Sequence, residues 1–265
     1  MSKEKFSLLM QTESLLVEQQ GGVTTISLNR PQKKNSLTIE GMEDIAKAIS
    51  LARDQDSRCI RICGSGGSFC AGRDLSGVDA ATDDTLILLR DRINPVLDAV
   101  RQCPIPTFAQ VEGPALGFGF GLALACDIVY VAETALLGSP FRNIGLVLDS
   151  GGHYYLRERL GRAKAAELIF TGRLFSGLEA ASMGLVNRAV AAPDLEAVSR
   201  KLLESIAQGP TQSFRASKRI LDEGHSYEEV VRLEAESQAM LMLTRDADEG
   251  LKAFQEKRRP TFVGR

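Results

Sequence analysis

The chain has no tryptophan, two histidines and four tyrosines in 265 residues. Two histidines leave little for a histidine-based metal centre, and Cys59 and Cys63 have no second cysteine pair to complete a zinc site. The cysteines (59, 63, 70, 103, 126) are an odd number set mostly among apolar neighbours. That excludes a fully paired disulfide framework and predicts reduced, buried thiols in a cytoplasmic protein. Neither sign of charge dominates: 32 Lys and Arg stand against 34 Asp and Glu, a net charge of −2, so no whole-chain attraction to nucleic acid or to an anionic membrane is expected. No apolar run reaches bilayer-spanning length. The N-terminal MSKEKFSLLMQTESLL has too short an apolar stretch, and no small-residue cleavage site, for an expected signal peptide. What is present, 44% hydrophobic and 25% charged residues, suits one large core, or one core plus a small appendage.

Leu15–Gln19 and Val23–Leu28 flank Gly21-Gly22 and predict a β-hairpin. Thr38–Arg53 carries Met42, Ile45, Ala46 and Ile49 on one helical face. CIRIC at 59–63 alternates as a strand and stops at Gly64-Ser65-Gly66-Gly67. Asp83–Arg101 reads as an amphipathic helix, Pro106–Val111 and Ile128–Ala132 as short strands, and Gly121–Cys126 as a helix between them. Tyr154–Leu160 is helix-like, and Ala163–Thr171, Gly177–Met183, Leu195–Gln208, Thr211–Asp222 and Tyr227–Thr244 read as helices. Strands alternating with helices, then helices alone, specify an α/β class protein: a core over 1–195 and a helical region over 196–265. The charged run Glu256-Lys257-Arg258-Arg259 reads first as a solvated helix end.

Two segments carry chemistry. In Ser68-Phe69-Cys70-Ala71-Gly72-Arg73-Asp74-Leu75, a strand runs into small residues that can present successive N–H groups; a tight turn with Asp74 as a helix cap is the alternative. In Gly113–Gly152, Gly117, Gly119 and Gly121 allow close backbone approach ahead of a small-residue helix. The unpaired N–H groups at the start of such a helix suit a negative charge developing on oxygen, which points to carbonyl chemistry. Asp149 follows in Leu148-Asp149-Ser150-Gly151-Gly152, where on residue type alone it reads as the cap of the next helix.

Together these pieces resemble the crotonase, or enoyl-CoA hydratase/isomerase, superfamily. The matching stretches are LNRPQKKNSL (28–37), SFCAGRDL (68–75), PIPTFAQVEGPALGFGFGLALACDIVYVA (104–132), NIGLVLDSGG (143–152), IFTGRLFSGLEAASMGLVNRAV (169–190) and FQEKRRPTFVGR (254–265). They cover nearly the whole chain in order. The resemblance implies a spiral of short ββα units with C-terminal helices that build a homotrimer or a dimer of trimers. It implies an acyl-CoA thioester whose carbonyl is held by the backbone N–H groups of Arg73 and Phe118. Ala71, Gly72, Asp74, Leu75, Gly117, Gly119 and Phe141 would line the substrate. Coenzyme A would be part of the substrate, with no separate cofactor and no metal.

Two departures matter. Family hydratases place glutamates at the positions of Gly121 and Phe141, and both acids are missing here. Asp149 remains, in the turn where phenylacetate-pathway double-bond isomerases (PaaG-like) carry an Asp. The 4-chlorobenzoyl-CoA dehalogenase branch also has an Asp there, but with a tryptophan at the position of Phe141 and a histidine near the first turn, and this chain has neither. The resemblance therefore makes Asp149 a base for isomerisation of an enoyl-CoA, its pKa raised by Leu146, Val147, Leu148 and Phe141. A hydratase using Asp149 with water, and a non-catalytic acyl-CoA-binding or RNA-binding member, are the alternatives. His153 is a secondary candidate beside Asp149. Glu112 reads as a structural pairing group at a strand end, Tyr154 and Tyr155 as pocket walls of which one faces the core, and Lys257, Arg258 and Arg259 as cations suited to CoA phosphates.

Overall fold

A computed structural model of the chain describes residues 6–76 and 84–265. β1 (Ser7–Gln11), β2 (Leu15–Gln20) and β3 (Val23–Leu28) form an antiparallel meander. The β2–β3 register runs from Leu15 opposite Leu28 to Gln20 opposite Val23, around Gly21 and Gly22 as expected. Leu15, Val17, Ile26 and Leu28 face inward and are fully buried, as period-two alternation requires. α1 (Ile39–Asp54) starts at Thr38, whose hydroxyl accepts from the Gly41 N–H, and β4 (Cys59–Gly64) pairs in parallel with β3.

The predicted helix start, Asp83, lies outside the described residues; within them the helix is capped by Asp84, whose carboxylate accepts from the Ile87 N–H. Its described part is α2 (Thr85–Ile87), a π-helical stretch over Leu88–Ile93, and α3 (Asn94–Arg101). Pro95, in the first turn of α3, has no N–H to extend an i→i−4 ladder, and the irregular stretch lies immediately before it. Next come β5 (Thr107–Val111), β6 (Ala115–Leu116), α4 (Phe118–Ala125), β7 (Ile128–Ala132) and β8 (Leu136–Gly138). α4 starts three residues before the position read from sequence. All eight of its residues are buried, so packing rather than the poor helix propensity of glycine decides where it begins.

α5 (Gly152–Thr171) joins two predicted helices through a kink at Gly161 (φ 74°, ψ 164°). β9 (Phe175–Ser176), α6 (Gly177–Ser182), β10 (Arg188–Val190), α7 (Leu195–Ala207) and α8 (Thr211–Glu223) follow. The helix predicted over Tyr227–Thr244 is α9 (Tyr227–Leu241), three residues shorter, and beyond the predicted range follows α10 (Arg245–Gln255). Thr244 caps the second one, its hydroxyl accepting from the Ala247 N–H at 3.1 Å.

Among the described residues the main sheet has the order β1-β2-β3-β4-β5-β7-β10, parallel from β3 onward, and β6-β8-β9 form a small second sheet. Every residue of β5 is buried, as befits a central parallel strand. The helix that begins at the expected boundary, α7, packs back on this sheet: its Leu203 and Ala207 bury with Cys59 and Phe108. The C-terminal tail also returns to the core. Asp246 accepts from the N–H groups of Val263 and Gly264, and Arg58 donates to the carbonyl of Phe262 and the hydroxyl of Thr211. The cysteines are free and buried.

Candidate active site

The first turn, residues 68–74, is laced to residues 30–37. Asn35 is fully buried, and its amide donates to the carbonyls of Ser65 (2.9 Å) and Ser68 (2.7 Å) while its oxygen accepts from the Arg30 N–H (2.8 Å). The Ala71 N–H donates to the Lys34 carbonyl. Leu37 donates to the carbonyl of Gly72 (3.0 Å) and accepts from the N–H of Asp74 (2.8 Å). In such a parallel bridge the amide of the intervening residue, Arg73, faces away from Leu37. Asp74 anchors the exit. It pairs with Arg30 at 3.2 Å and accepts from the N–H and hydroxyl of Ser76, and these hydrogen bonds hold its carboxyl down at about 2. Leu75 is exposed beside it.

The second turn lies directly against the first. The Cys70 N–H donates to the Pro114 carbonyl, and Leu116 donates to the Cys70 carbonyl at 2.9 Å. Gly72 has φ +101°, and a Cβ placed on it would stand 2.9 Å from the Leu116 oxygen and 3.8 Å from the Phe118 nitrogen. The backbone of the first turn therefore reaches the N-terminus of α4. A Cβ on Gly119 would stand 2.6 Å from the Cys70 Cβ and closer still to the Cys70 carbonyl. Phe118 is the first residue of α4, after Gly117, and its N–H has no acceptor among the described residues. Burial pushes the Cys70 thiol up to about 12, which removes it as a nucleophile near neutrality.

The Asp149 turn closes on the same helix. Residues 149–152 form a turn with the Gly152 N–H donating to the Asp149 carbonyl at 3.0 Å and positive φ at both central residues, Ser150 (+55°) and Gly151 (+74°), the pattern of a type I′ turn. A Cβ on Gly121 would stand 2.6 Å from the Ser150 Cβ, so the Ser150 side chain occupies the space that a side chain at 121 would need. The cap reading of Asp149 does not hold: the cap position of α5 is Gly151, and the Asp149 carboxylate accepts instead from the Ser150 hydroxyl at 2.8 Å. Burial raises the Asp149 pKa, while the Ser150 hydrogen bond and the nearby Arg73 charge pull it down. Of the apolar neighbours expected to desolvate it, Leu148 is buried, but Leu146 and Val147 are 60% and 71% exposed and turn outward. Phe141 lies over the second turn, its ring 3.7 Å from where a Cβ on Gly117 would stand.

The remaining candidates are more dispersed. His153 is exposed on the first turn of α5. Glu112, expected to pair at a strand end, is exposed and makes no hydrogen bond or ion pair with a described residue. Tyr155 is buried and Tyr154 half-exposed, the division expected of neighbours on a helix. Lys257, Arg258 and Arg259 are all exposed, and Arg258 pairs with Glu249 and Glu256. Ser150 carries no functional motif of its own in the sequence; its place next to Asp149 is the one signal there of this contact. Two cavities, of about 420 Å³ beside Arg61 and Glu196 and about 660 Å³ beside Arg101 and Lys218, border neither Asp149, Arg73 nor Phe118.

Residues 18–265 match the family described as enoyl-CoA hydratase/isomerase. A "Probable enoyl-CoA hydratase" of Rhodobacter capsulatus is 36% identical over 258 residues, which cover 97% of this chain and 100% of that protein. A trans-2-decenoyl-acyl-carrier-protein isomerase of Streptococcus mutans is 29% identical over 263 residues, covering 97% and 100%. The crystal structure of an enoyl-CoA hydratase from Bacillus anthracis superposes with a TM-score of 0.87 at 30% identity, over 98% of this chain and 99% of that one. With this fold and these matches, the chain belongs to the enoyl-CoA hydratase/isomerase family, the crotonase superfamily.

Proposed function

We propose that this family member is an enoyl-CoA isomerase, closest in chemistry to the PaaG-like branch, with Asp149 as its single acid–base group. The N–H groups of Arg73 and Phe118 hold the thioester oxygen. The Asp149 carboxylate takes a proton from C2 of a 3-enoyl-CoA, and the electron pair spreads into a dienolate whose oxygen faces the two donors. The same carboxyl then returns the proton to C4, leaving a 2-enoyl-CoA. One proton moves, nothing is oxidised, and no redox cofactor is called for.

The observation that carries this reading is the packing of the Asp149-Ser150 turn onto Gly121. It fills the place of one hydratase glutamate and leaves a carboxylate with a raised pKa on the turn that packs against α4. A single base suits a proton shuttle better than a water addition, which must also hold a nucleophile. The test is turnover of a panel of 2-enoyl- and 3-enoyl-CoA substrates. Isomerisation should outpace hydration, and Asp149→Asn should cut it by at least ~100-fold while leaving ligand affinity nearly intact. Near-wild-type isomerisation in Asp149→Asn would move the base elsewhere. Rapid hydration without isomerisation would favour the hydratase, the activity in the printed names of several relatives.

The assembly we propose is a homotrimer or a dimer of trimers built through the C-terminal helices. Leu221, Tyr227, Leu243 and Phe254, all in the C-terminal helical region, are each more than three-quarters exposed on this chain and would be available to such contacts. Light scattering at micromolar concentration should give a trimer or hexamer; a stable, active monomer would overturn the assignment.

A further inference from the structure

Ser150 adopts a backbone conformation that its residue type disfavours. Its φ is +55°, in the left-handed region, while the next residue in the same turn is the glycine such a position prefers. The residue is 4% exposed, and its hydroxyl donates to the Asp149 Oδ1 at 2.8 Å while its side chain abuts the bare backbone of Gly121. A non-glycine residue held in this region beside a reactive group calls for a reason outside the backbone.

We infer that Ser150 is a positioning residue, a clamp that holds one oxygen of Asp149 so that the other stays aimed at the substrate through both proton transfers. This rests on the reading of Asp149 as the base. The hydroxyl donates to Oδ1 whether Oδ2 is bare or carries the proton taken from C2, so the carboxyl keeps one orientation between removal at C2 and delivery at C4. Gly121 belongs to the same device, since a side chain there would displace the clamp. Around Asp149, Arg73 supplies the positive charge, α4 offers no titratable side chain from Phe118 to Ala125, and His153 on the first turn of α5 is exposed. The serine hydroxyl and Arg73 both favour the ionised carboxylate against the effect of burial.

Ser150→Gly tests this because glycine suits the left-handed backbone, so the hydroxyl is lost with little disturbance of the turn. The melting temperature should stay at or above wild type, and KM should stay within about twofold while kcat falls about tenfold, the size of one lost charge-assisted hydrogen bond. The acid limb of the rate profile should move up by about one pH unit, because the carboxylate loses a donor that favoured its charged form. In D2O the product should carry more solvent deuterium per turnover, since an unclamped carboxyl exchanges its proton before delivery. Wild-type kcat, pH profile and deuterium content in Ser150→Gly, alongside an inactive Asp149→Asn, would refute the clamp and leave the base standing. An active Asp149→Asn would refute the base itself. Ser150→Cys, which keeps the shape with a weaker donor, should move the same three readings in the same direction by less, and wild-type readings there would refute the clamp equally.

Discussion

Adding one methyl group at Gly119 should disable the enzyme without unfolding it. An ideal Cβ at this position stands 2.6 Å from the Cys70 Cβ and closer still to the Cys70 carbonyl oxygen, both in the first turn. Unstrained carbon contacts lie near ~3.5–4.0 Å, so α4 and the first turn must part by about 1 Å in Gly119→Ala. The Cys70 carbonyl also accepts the Leu116 N–H, so relief cannot come from a flexible side chain and must come from backbone. Overpacking of this kind costs about 1–3 kcal/mol, less than the ~5–15 kcal/mol that holds a typical domain together, so the variant folds with a lowered melting temperature. Catalysis suffers more. The separation falls between the two proposed donors, and a misplacement of about 1 Å is worth ~100-fold in rate. Loss of one such donor is itself worth ~100- to 1,000-fold. Steady-state isomerisation of a 3-enoyl-CoA should therefore show kcat/KM down by at least ~100-fold, or ~2.7 kcal/mol of transition-state stabilisation. Circular dichroism and a thermal melt confirm the fold. A folded Gly119→Ala variant with wild-type kinetics would refute the assignment of these two turns as the oxyanion site.

Gly121→Glu restores the residue type of a family hydratase at that position, yet it should yield no hydratase. Its Cβ meets Ser150, so the turn carrying Asp149 must shift and isomerisation should fall; hydration gained with isomerisation intact would contradict the interlock. Asp149→Asn should raise the melting temperature near neutral pH. The folded-state pKa of Asp149 lies above its ordinary 3.8, so its contribution to stability is present below pH 3.8 and lost as pH rises through the folded value. The stability gain of the amide should accordingly be full above the folded pKa and vanish below pH 3.8, and thermal melts across pH would reveal a constant difference if burial were not the cause.

The sequence alone determined the elements whose signals are local. The β2–β3 hairpin follows from Gly21-Gly22 between alternating strands, α1 from its apolar face after Thr38, and β4, β5 and β7 from short apolar runs between breakers. Its motifs also determined the family, because they run in order along nearly the whole chain. Element boundaries set by packing were not legible. α4 begins on Phe118 because the core buries all eight of its residues, and the helix expected to run to Thr244 stops at Leu241 because Thr244 caps the next. Long-range meetings were less legible still. Cys70 lies against Gly119, and Ser150 against Gly121, across stretches of chain whose closure no local pattern encodes. Asp149 makes the difference plain. In sequence it is an acid ahead of a helix, suited to capping, and nothing local distinguishes a cap from a base. Only the tertiary structure decided that its carboxylate turns to the Ser150 hydroxyl instead of the α5 amides. A cap bond and a bond to the next hydroxyl are both local, whereas the seat of this turn against Gly121 is made by a distant part of the chain, and that only folding supplies.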